Sequence, residues 1–225
     1  HIVFGSERTG SPQLFLMEMP SGKIVQLTDE EGVRPQLSCV HATRRVAYYT
    51  TARDLKQVDL ETHKTEVLYT APEGFQLSLP SITADGSRIA IAYSEITNCS
   101  TERGVIYSTM AEHYYQRPVS CVVAVETDDG AAKVIWGEQS WISHVCISPV
   151  DRDCVVFCHE GGSWVKQRMW VVDAKAMHQE AQPLMVQRPG DVAYHEYFTR
   201  QGEIGVQLRG QRGSEAEFYH CFMRP

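Results

Sequence analysis

The run Val46-Ala47-Tyr48-Tyr49-Thr50 decides the fold, because four other short apolar runs in the chain share its character. The starts of the five runs are separated by 44, 43, 66 and 49 residues. A strand-rich repeat of about 40–50 residues is typical of β-propeller blades, each of which is a four-stranded sheet. The other four runs are Ile2-Val3-Phe4-Gly5-Ser6, Ile89-Ala90-Ile91-Ala92-Tyr93, Val155-Val156-Phe157-Cys158-His159 and Ile204-Gly205-Val206-Gln207-Leu208.

Two further strand-like runs follow most of these segments, as Lys56-Gln57-Val58-Asp59-Leu60 and Thr65-Glu66-Val67-Leu68-Tyr69 show after the run at Val46. A single blade cannot bury both of its faces, so blades must stack radially around a channel. The pattern therefore predicts an all-β chain, a β-propeller with about four to five blades of a larger ring. A β-sandwich is the structural alternative, but it does not explain the regular period.

The 66-residue interval contains an insertion of about twenty residues beyond the usual period, at roughly residues 96–118. Its aromatic and basic residues favour a lid over a site, and a mobile surface loop is nearly as well supported. A short helix is predicted near residues 108–116. The rest of residues 1–225 is predicted to be one partial propeller domain, because the chain begins within a strand, without an initiator methionine, and stops directly after another strand.

Composition narrows the possible partners and location of the protein. The chain has 43% hydrophobic and 22% charged residues and a formal net charge of −7, without the basic stripe of a nucleic-acid surface. It lacks an apolar run of about 18 residues and a signal-peptide pattern, so no membrane partner is expected either. Seven cysteines without metal-type spacing indicate reduced thiols and a cytoplasmic location.

Two segments near the end of the chain interrupt the repeat with residues that could carry chemistry. His159 ends a core strand where other repeats have serine, threonine or tyrosine, and Arg168 lies on the strand paired with it. Loops between propeller strands meet at the mouths of the channel, so both side chains are candidates to face one funnel. A guanidinium can bind a carboxylate through two hydrogen bonds. The alternatives are a structural histidine and an ion pair of Arg168 with Glu160 or Asp173.

His144 and His195 begin the predicted innermost strands of neighbouring blades. Innermost strands line the channel, so we predict that the two histidines lie near each other. An imidazole titrates near neutral pH, which makes His195 a candidate general base. The alternative is a histidine that bonds to a backbone carbonyl. The metal-ligand spacing His-x-Glu-x-x-His, nucleophile elbows, Walker loops and dinucleotide fingerprints are absent from the sequence.

At these residues the sequence resembles the oligogalacturonate lyases, a family of pectin-degrading polysaccharide lyases. The opening Phe4-Gly5-Ser6-Glu7-Arg8-Thr9-Gly10 also looks like an early blade of that family. One departure is Gly161-Gly162-Ser163-Trp164, where the family tends to have glycine-proline-tryptophan and a slightly longer loop. Four motifs carry the resemblance, in this order: Ser148-Pro149-Val150-Asp151, Phe157-Cys158-His159-Glu160-Gly161, Gln167-Arg168-Met169-Trp170 and His195-Glu196-Tyr197-Phe198.

The resemblance implies a seven-bladed propeller that cleaves short oligogalacturonates, such as digalacturonate and unsaturated digalacturonate, by β-elimination. It makes His195 the base and Arg168 the partner of the substrate carboxylate, although arginine is the base in some lyases and the two roles are exchangeable. By the same resemblance His159, His144 and Arg8 are substrate-binding residues. The implied cofactor is Mn²⁺, whose histidine and glutamine ligands are expected beyond Pro225, so no metal ligand is assigned in this chain.

The expected partner is therefore a small acidic oligosaccharide. The alternative function is a non-catalytic β-propeller binding module of the kind attached to transport or peptidase proteins. Such a module does not need His159, Arg168 and His195 around one funnel. Convergence of these three side chains is thus the structural criterion that the sequence offers for separating an enzyme from a binding module.

Overall fold

The computed structural model describes residues 1–99, 109–178, 180–212 and 215–225. These residues form five antiparallel sheets and one short helix. The first sheet contains β1 (Ile2–Ser6), β2 (Gln13–Met17) and β3 (Ile24–Gln26), and the second contains β4 (Arg34–His41), β5 (Val46–Thr50), β6 (Asp54–Asp59) and β7 (Thr65–Thr70). The third contains β8 (Phe75–Leu77), β9 (Ser81–Ile82), β10 (Arg88–Glu95), β11 (Val119–Glu126) and β12 (Ala132–Gln139).

The last two sheets follow the same order along the chain. The fourth sheet contains β13 (Ile142–Ile147), β14 (Cys154–His159), β15 (Met169–Asp173) and β16 (Gln182–Pro183). The fifth contains β17 (Val192–Phe198), β18 (Ile204–Arg212) and β19 (Glu215–Met223). All five runs that defined the repeat lie in strands, so the all-β prediction is confirmed.

The central strands of the second, third and fourth sheets are apolar on both faces because each of these sheets packs between two others. On β10, Ile89 and Ile91 pack towards the second sheet, whereas Ala90 and Ala92 pack towards the fourth. Four buried clusters fill the spaces between successive sheets in this way. Burial of these side chains is the main stabilising contribution, and a face-to-face succession of sheets is the arrangement of propeller blades.

The first strands of successive sheets contact one another, β1 with β4, β4 with β9, β9 with β13, and β13 with β17. They are therefore the innermost strands, and each of the last four sheets breaks its register there. Between Tyr194 and Tyr197, β17 contains one more residue than its partner, and β13 does the same between Ile142 and Val145. In β4 the break follows Arg34, and in the third sheet the two short strands β8 and β9 replace one continuous strand. Bulges of this kind redirect side chains and are frequent beside active sites.

The predicted helix is present as α1 (Met110–Gln116), and it contacts the loops of the fourth sheet. The ring of His113 lies 4.9 Å from that of Trp141, and the ring of Tyr114 lies 6.0 Å from that of Trp164. Residues 100–108 of the insertion lie outside the described residues. The described part of the chain contains no helix that is long and apolar enough to cross a membrane. All seven cysteines are free thiols.

Candidate active site

Arg168 lies between two buried carboxylates at the centre of the candidate site. Its Nη1 donates a 2.9 Å hydrogen bond to Oε1 of Glu160, and its Nε lies 3.7 Å from Oε2 of Glu196. Their side chains are 8%, 9% and 1% exposed respectively. Buried charges are tolerated only when they are paired, so the two carboxylates and the guanidinium hold one another in place. Within the described residues, Nη2 of Arg168 has no hydrogen-bond partner.

His144 completes this charge network from the innermost strand of the fourth sheet. Its Nδ1 lies 3.3 Å from Oε1 of Glu196. The pKa of His144 is raised because its close contact with the Glu196 carboxylate outweighs the effect of burial. Burial alone would raise the pKa of Glu196, but the contact with His144 and the charge of Arg168 lower it to about 2. With His144 protonated, the network contains two positive and two negative side chains.

The bulge in β17 determines where His195 and Glu196 point. His195 has φ +50°, which is the left-handed region that non-glycine residues rarely adopt. Glu196 is buried beside Arg168, whereas His195 is exposed. Strain of this kind is found at functional sites, where it is compensated by the surrounding structure. The bulge thus places a carboxylate in the network and leaves the neighbouring imidazole accessible to a ligand.

His159 is paired away from Arg168. Its Nε2 lies 2.8 Å from Oε1 of Glu138 on β12, and its ring is 5.2 Å from that of Trp170. On β14, Phe157 packs towards the third sheet and Cys158 towards the fifth, so alternation sends His159 to the side of the third sheet. These contacts favour the structural alternative that the spacing left open. Substrate binding by His159, which no observation tests, remains the alternative to this structural role.

The three side chains chosen as the criterion do not converge on one point. Arg168 and His144 share Glu196, and His195 adjoins that group along the chain, but His159 contacts Glu138. The criterion is not met for His159, because its ring lies on the side of the third sheet with Glu138, whereas Arg168 contacts Glu196 of the fifth sheet. Arg8 is exposed, with its guanidinium 5.4 Å from the centre of the Phe15 ring. Its substrate-binding role also stays a prediction.

Sequence reasoning offered Glu160 only as an ion-pair partner of Arg168, and that pair is present. The other suggested partner, Asp173, caps the turn after β15 through the backbone N–H of Lys175. Glu196 was missed entirely. The available signal was its position beside His195, where two polar residues in succession within an apolar strand indicate a bulge.

One group of described residues has the atoms to hold a metal ion, namely His144, Cys158 and Glu160, whose donor atoms lie within 4.8 Å of one another. Burial raises the pKa of Cys158 well above its usual value, so it remains a thiol and a poor ligand. Glu160 is already bound to Arg168 and Ser143. Mn²⁺ prefers oxygen and imidazole ligands. This group therefore does not fit Mn²⁺.

A cavity of about 290 Å³ lies beside His144 at the breaks in the innermost strands. Its walls come from three sheets and include Arg34, Gln76, Trp141 and Ser143. A larger cavity of about 590 Å³ lies between the third and fourth sheets, but its Arg88 is paired with acidic residues there. The smaller cavity borders the network of Arg168 through Ser143 and His144, which contact Glu160 and Glu196 respectively.

The fold and these residues define a β-propeller protein with a charged site at one mouth of its channel. The family model described as oligogalacturonate lyase matches residues 1–223. The chain belongs to the oligogalacturonate lyase family, and the resemblance drawn from its motifs is confirmed. The binding-module alternative is not favoured by this match.

Similar proteins support the same assignment. The chain is 23% identical to an oligogalacturonate lyase of Dickeya dadantii, over 100% of this chain and 57% of the relative. An oligogalacturonate lyase structure from Vibrio parahaemolyticus has a TM-score of 0.84 at 22% identity, over 100% of this chain and 59% of that one. An oligogalacturonate lyase in complex with manganese has a TM-score of 0.85 at 20% identity, over 98% and 59%. The chain thus spans about half the length of the curated relatives it matches, and these structures show the propeller fold.

Proposed function

We propose that the complete protein carrying this chain is a lyase that cleaves short oligogalacturonates, such as digalacturonate and its unsaturated form, by β-elimination in pectin degradation. Family membership supports the class of reaction. The single structural observation that carries the proposal is Arg168, held between Glu160 and Glu196, with the exposed His195 next to Glu196 in the chain. A cavity bordered by His144, which contacts Glu196, is the proposed place for an acidic sugar.

In the proposed reaction, His195 takes the proton from C5 of a galacturonate unit, and the C4–O bond of that unit breaks. The electron pair of the C–H bond forms the C4–C5 double bond, and the leaving oxygen takes a proton to become the hydroxyl of the released sugar. Negative charge accumulates on the substrate carboxylate as the C5 proton leaves. Arg168 donates to that carboxylate through Nη2, so its attraction strengthens in the transition state. An exchange of roles, with Arg168 as the base, is the alternative that the family allows.

The carboxylates around Arg168 hold the guanidinium in place and still leave part of it available to the substrate. Glu160 and Glu196 hold Nη1 and Nε, which leaves one edge of the guanidinium for the substrate. His144, when protonated, balances the second carboxylate, and the contact with Glu196 that raises its pKa favours this form. An anionic sugar therefore meets a network without net negative charge, which removes a repulsion that would weaken binding.

We propose Mn²⁺ as the cofactor of the complete protein, because a similar solved enzyme is a manganese complex. When bound, it would supply electrophilic assistance to the substrate carboxylate. Among the described residues, the group of His144, Cys158 and Glu160 does not fit it, which supports our proposal that its ligands belong to the part of the complete protein beyond Pro225. A cytoplasmic location and a small acidic oligosaccharide as the partner complete the proposal.

Replacement of His195 and Arg168 in the complete protein tests this function. His195→Ala and Arg168→Ala should each abolish the ultraviolet absorbance of unsaturated uronate released from digalacturonate. Arg200→Ala is the matched control and should keep normal activity, because Arg200 is exposed in the turn between β17, the strand of His195, and β18. Arg168→Lys retains a charge between the two carboxylates and serves if Arg168→Ala does not fold. Near-normal turnover in a His195 or Arg168 variant would remove that residue from the mechanism.

A further inference from the structure

Arg34 is an exception among the arginines of the described chain. Four arginines there are buried or half-buried, and three of them lie within ion-pair distance of a carboxylate: Arg45 of Glu61, Arg88 of Glu126 and Asp153, and Arg168 of Glu160 and Glu196. Arg34 has no carboxylate partner in the described residues. Its one hydrogen bond runs from Nη1 to the backbone oxygen of Leu77, at 3.0 Å.

This leaves most of a charged group without a protein partner. A guanidinium has five N–H donors in a planar fork, and only one of those of Arg34 is used. Burial lowers the pKa of Arg34, but an arginine remains protonated at neutral pH. Removing such a charge from water without an anion is unfavourable. An anion that arrives from outside the chain would offset this cost.

The position of Arg34 connects it with the candidate active site. It stands at the break in β4, and its side chain lines the same 290 Å³ cavity as His144. His144 in turn contacts Glu196, the partner of Arg168. The cavity also contains Trp141, an aromatic surface of the kind against which the apolar face of a sugar packs.

We propose that Arg34 binds the carboxylate of a second uronate unit, adjacent to the unit whose carboxylate meets Arg168. The inference rests on the proposed function and adds to it a residue that binds the unit that does not react. Consecutive galacturonate units each carry one carboxylate, and Arg34 shares its cavity with His144, which shares Glu196 with Arg168. A disaccharide thus engages both arginines, one with each carboxylate.

The test measures KM and the turnover number for digalacturonate, using the complete protein. Loss of one charge-assisted hydrogen-bonding group should raise KM for digalacturonate by about 10- to 100-fold in Arg34→Gln. The turnover number should change by less than about threefold, because Arg34 contacts the unit that does not lose its C5 proton. Arg53→Gln is the matched control, since Arg53 also donates only to a backbone oxygen, that of Ala71, but lies outside the cavity.

A second measurement does not depend on the folding of a variant. Digalacturonate that is methyl-esterified on the unit keeping its C5 proton lacks the charge that Arg34 is proposed to bind. The unmodified protein should show a similar increase in KM for this ester. An unchanged KM for the ester, or for Arg34→Gln, would overturn the inference while the proposed function stands. Failure of the unmodified protein to form unsaturated uronate from digalacturonate would instead overturn the proposed function, and the inference with it.

Discussion

Replacement of Glu196 by glutamine should destabilise the protein at neutral pH, since Glu196 links the innermost strands of two sheets. Its side chain is 1% exposed and contacts both His144 and Arg168. The fall of its pKa from an ordinary value of 4.5 to about 2 corresponds to roughly 3 kcal/mol, at about 1.36 kcal/mol per pKa unit. Loss of one member of a buried ion pair typically costs about 3–5 kcal/mol, which agrees with this magnitude.

The dependence of this effect on pH follows from the direction of the shift. A carboxyl whose pKa is lower in the folded protein contributes its full stability above pH 4.5, the ordinary value, and loses it as pH falls towards 2. The contribution of Glu196 should therefore be complete at pH 7 and about 2 kcal/mol at pH 3.5. Glutamine keeps the shape of the side chain but not its charge, so Glu196→Gln should lack this pH dependence.

Urea unfolding of the complete protein at pH 7 and at pH 3.5 measures both quantities. Glu203→Gln is the control: its side chain is 39% exposed, its ion pair with Arg224 is at the surface, and it lies between β17 and β18 of the same sheet. It should change the free energy of unfolding by less than about 0.5 kcal/mol. If Glu196→Gln unfolds within about 0.5 kcal/mol of the unmodified protein at pH 7, the carboxylate is not the buried anchor described above.

Two further predictions concern the histidines. The affinity for digalacturonate should fall as pH rises through the raised pKa of His144, because loss of its proton leaves the network with a net negative charge. In His144→Gln, the slope of log Kd against pH should be smaller. His159→Phe should lower the free energy of unfolding by about 1–3 kcal/mol, because it leaves Glu138 without the partner at 2.8 Å. In this variant, KM for digalacturonate should change less than about twofold. A pH slope retained in His144→Gln, or a raised KM in a fully stable His159→Phe, would contradict the respective prediction.

The sequence predicted the strands well because the signal is local. Runs such as Met169-Trp170-Val171-Val172-Asp173 alternate or are apolar throughout, and that pattern directly reflects packing between two sheets. Proximity of His144 to the segment of His195 followed from their places in neighbouring innermost strands, and the two strands do contact each other. The contacts between side chains within the site were harder to predict from the sequence. Glu196 enters the network only because of a bulge, and a one-residue change of register reverses which side chain is buried.

Arg34 was missed for a related reason. Its neighbourhood in the sequence, Val33-Arg34-Pro35, has no unusual spacing, and most arginines of a strand-rich protein are solvated or paired at the surface. What distinguishes Arg34 is that no carboxylate lies within ion-pair distance of it in the described structure. The sequence does not reveal this, because it depends on which groups the fold brings near Arg34. Likewise, the turn of His159 towards Glu138 depends on which face of β14 meets the third sheet.

The two arginines of the site differ in a way that assigns them different parts of the reaction. Arg168 already has two carboxylates, so a ground-state substrate gains little from its charge, and the gain comes as charge accumulates on the reacting unit. Arg34 has no counter-ion in the described structure, so it attracts a carboxylate equally before and during the reaction. Loss of Arg168 should therefore lower the turnover number, whereas loss of Arg34 should raise KM. The breaks in the innermost strands serve both arginines, because Arg34 lies at the break in β4 and the bulge in β17 buries Glu196 beside Arg168.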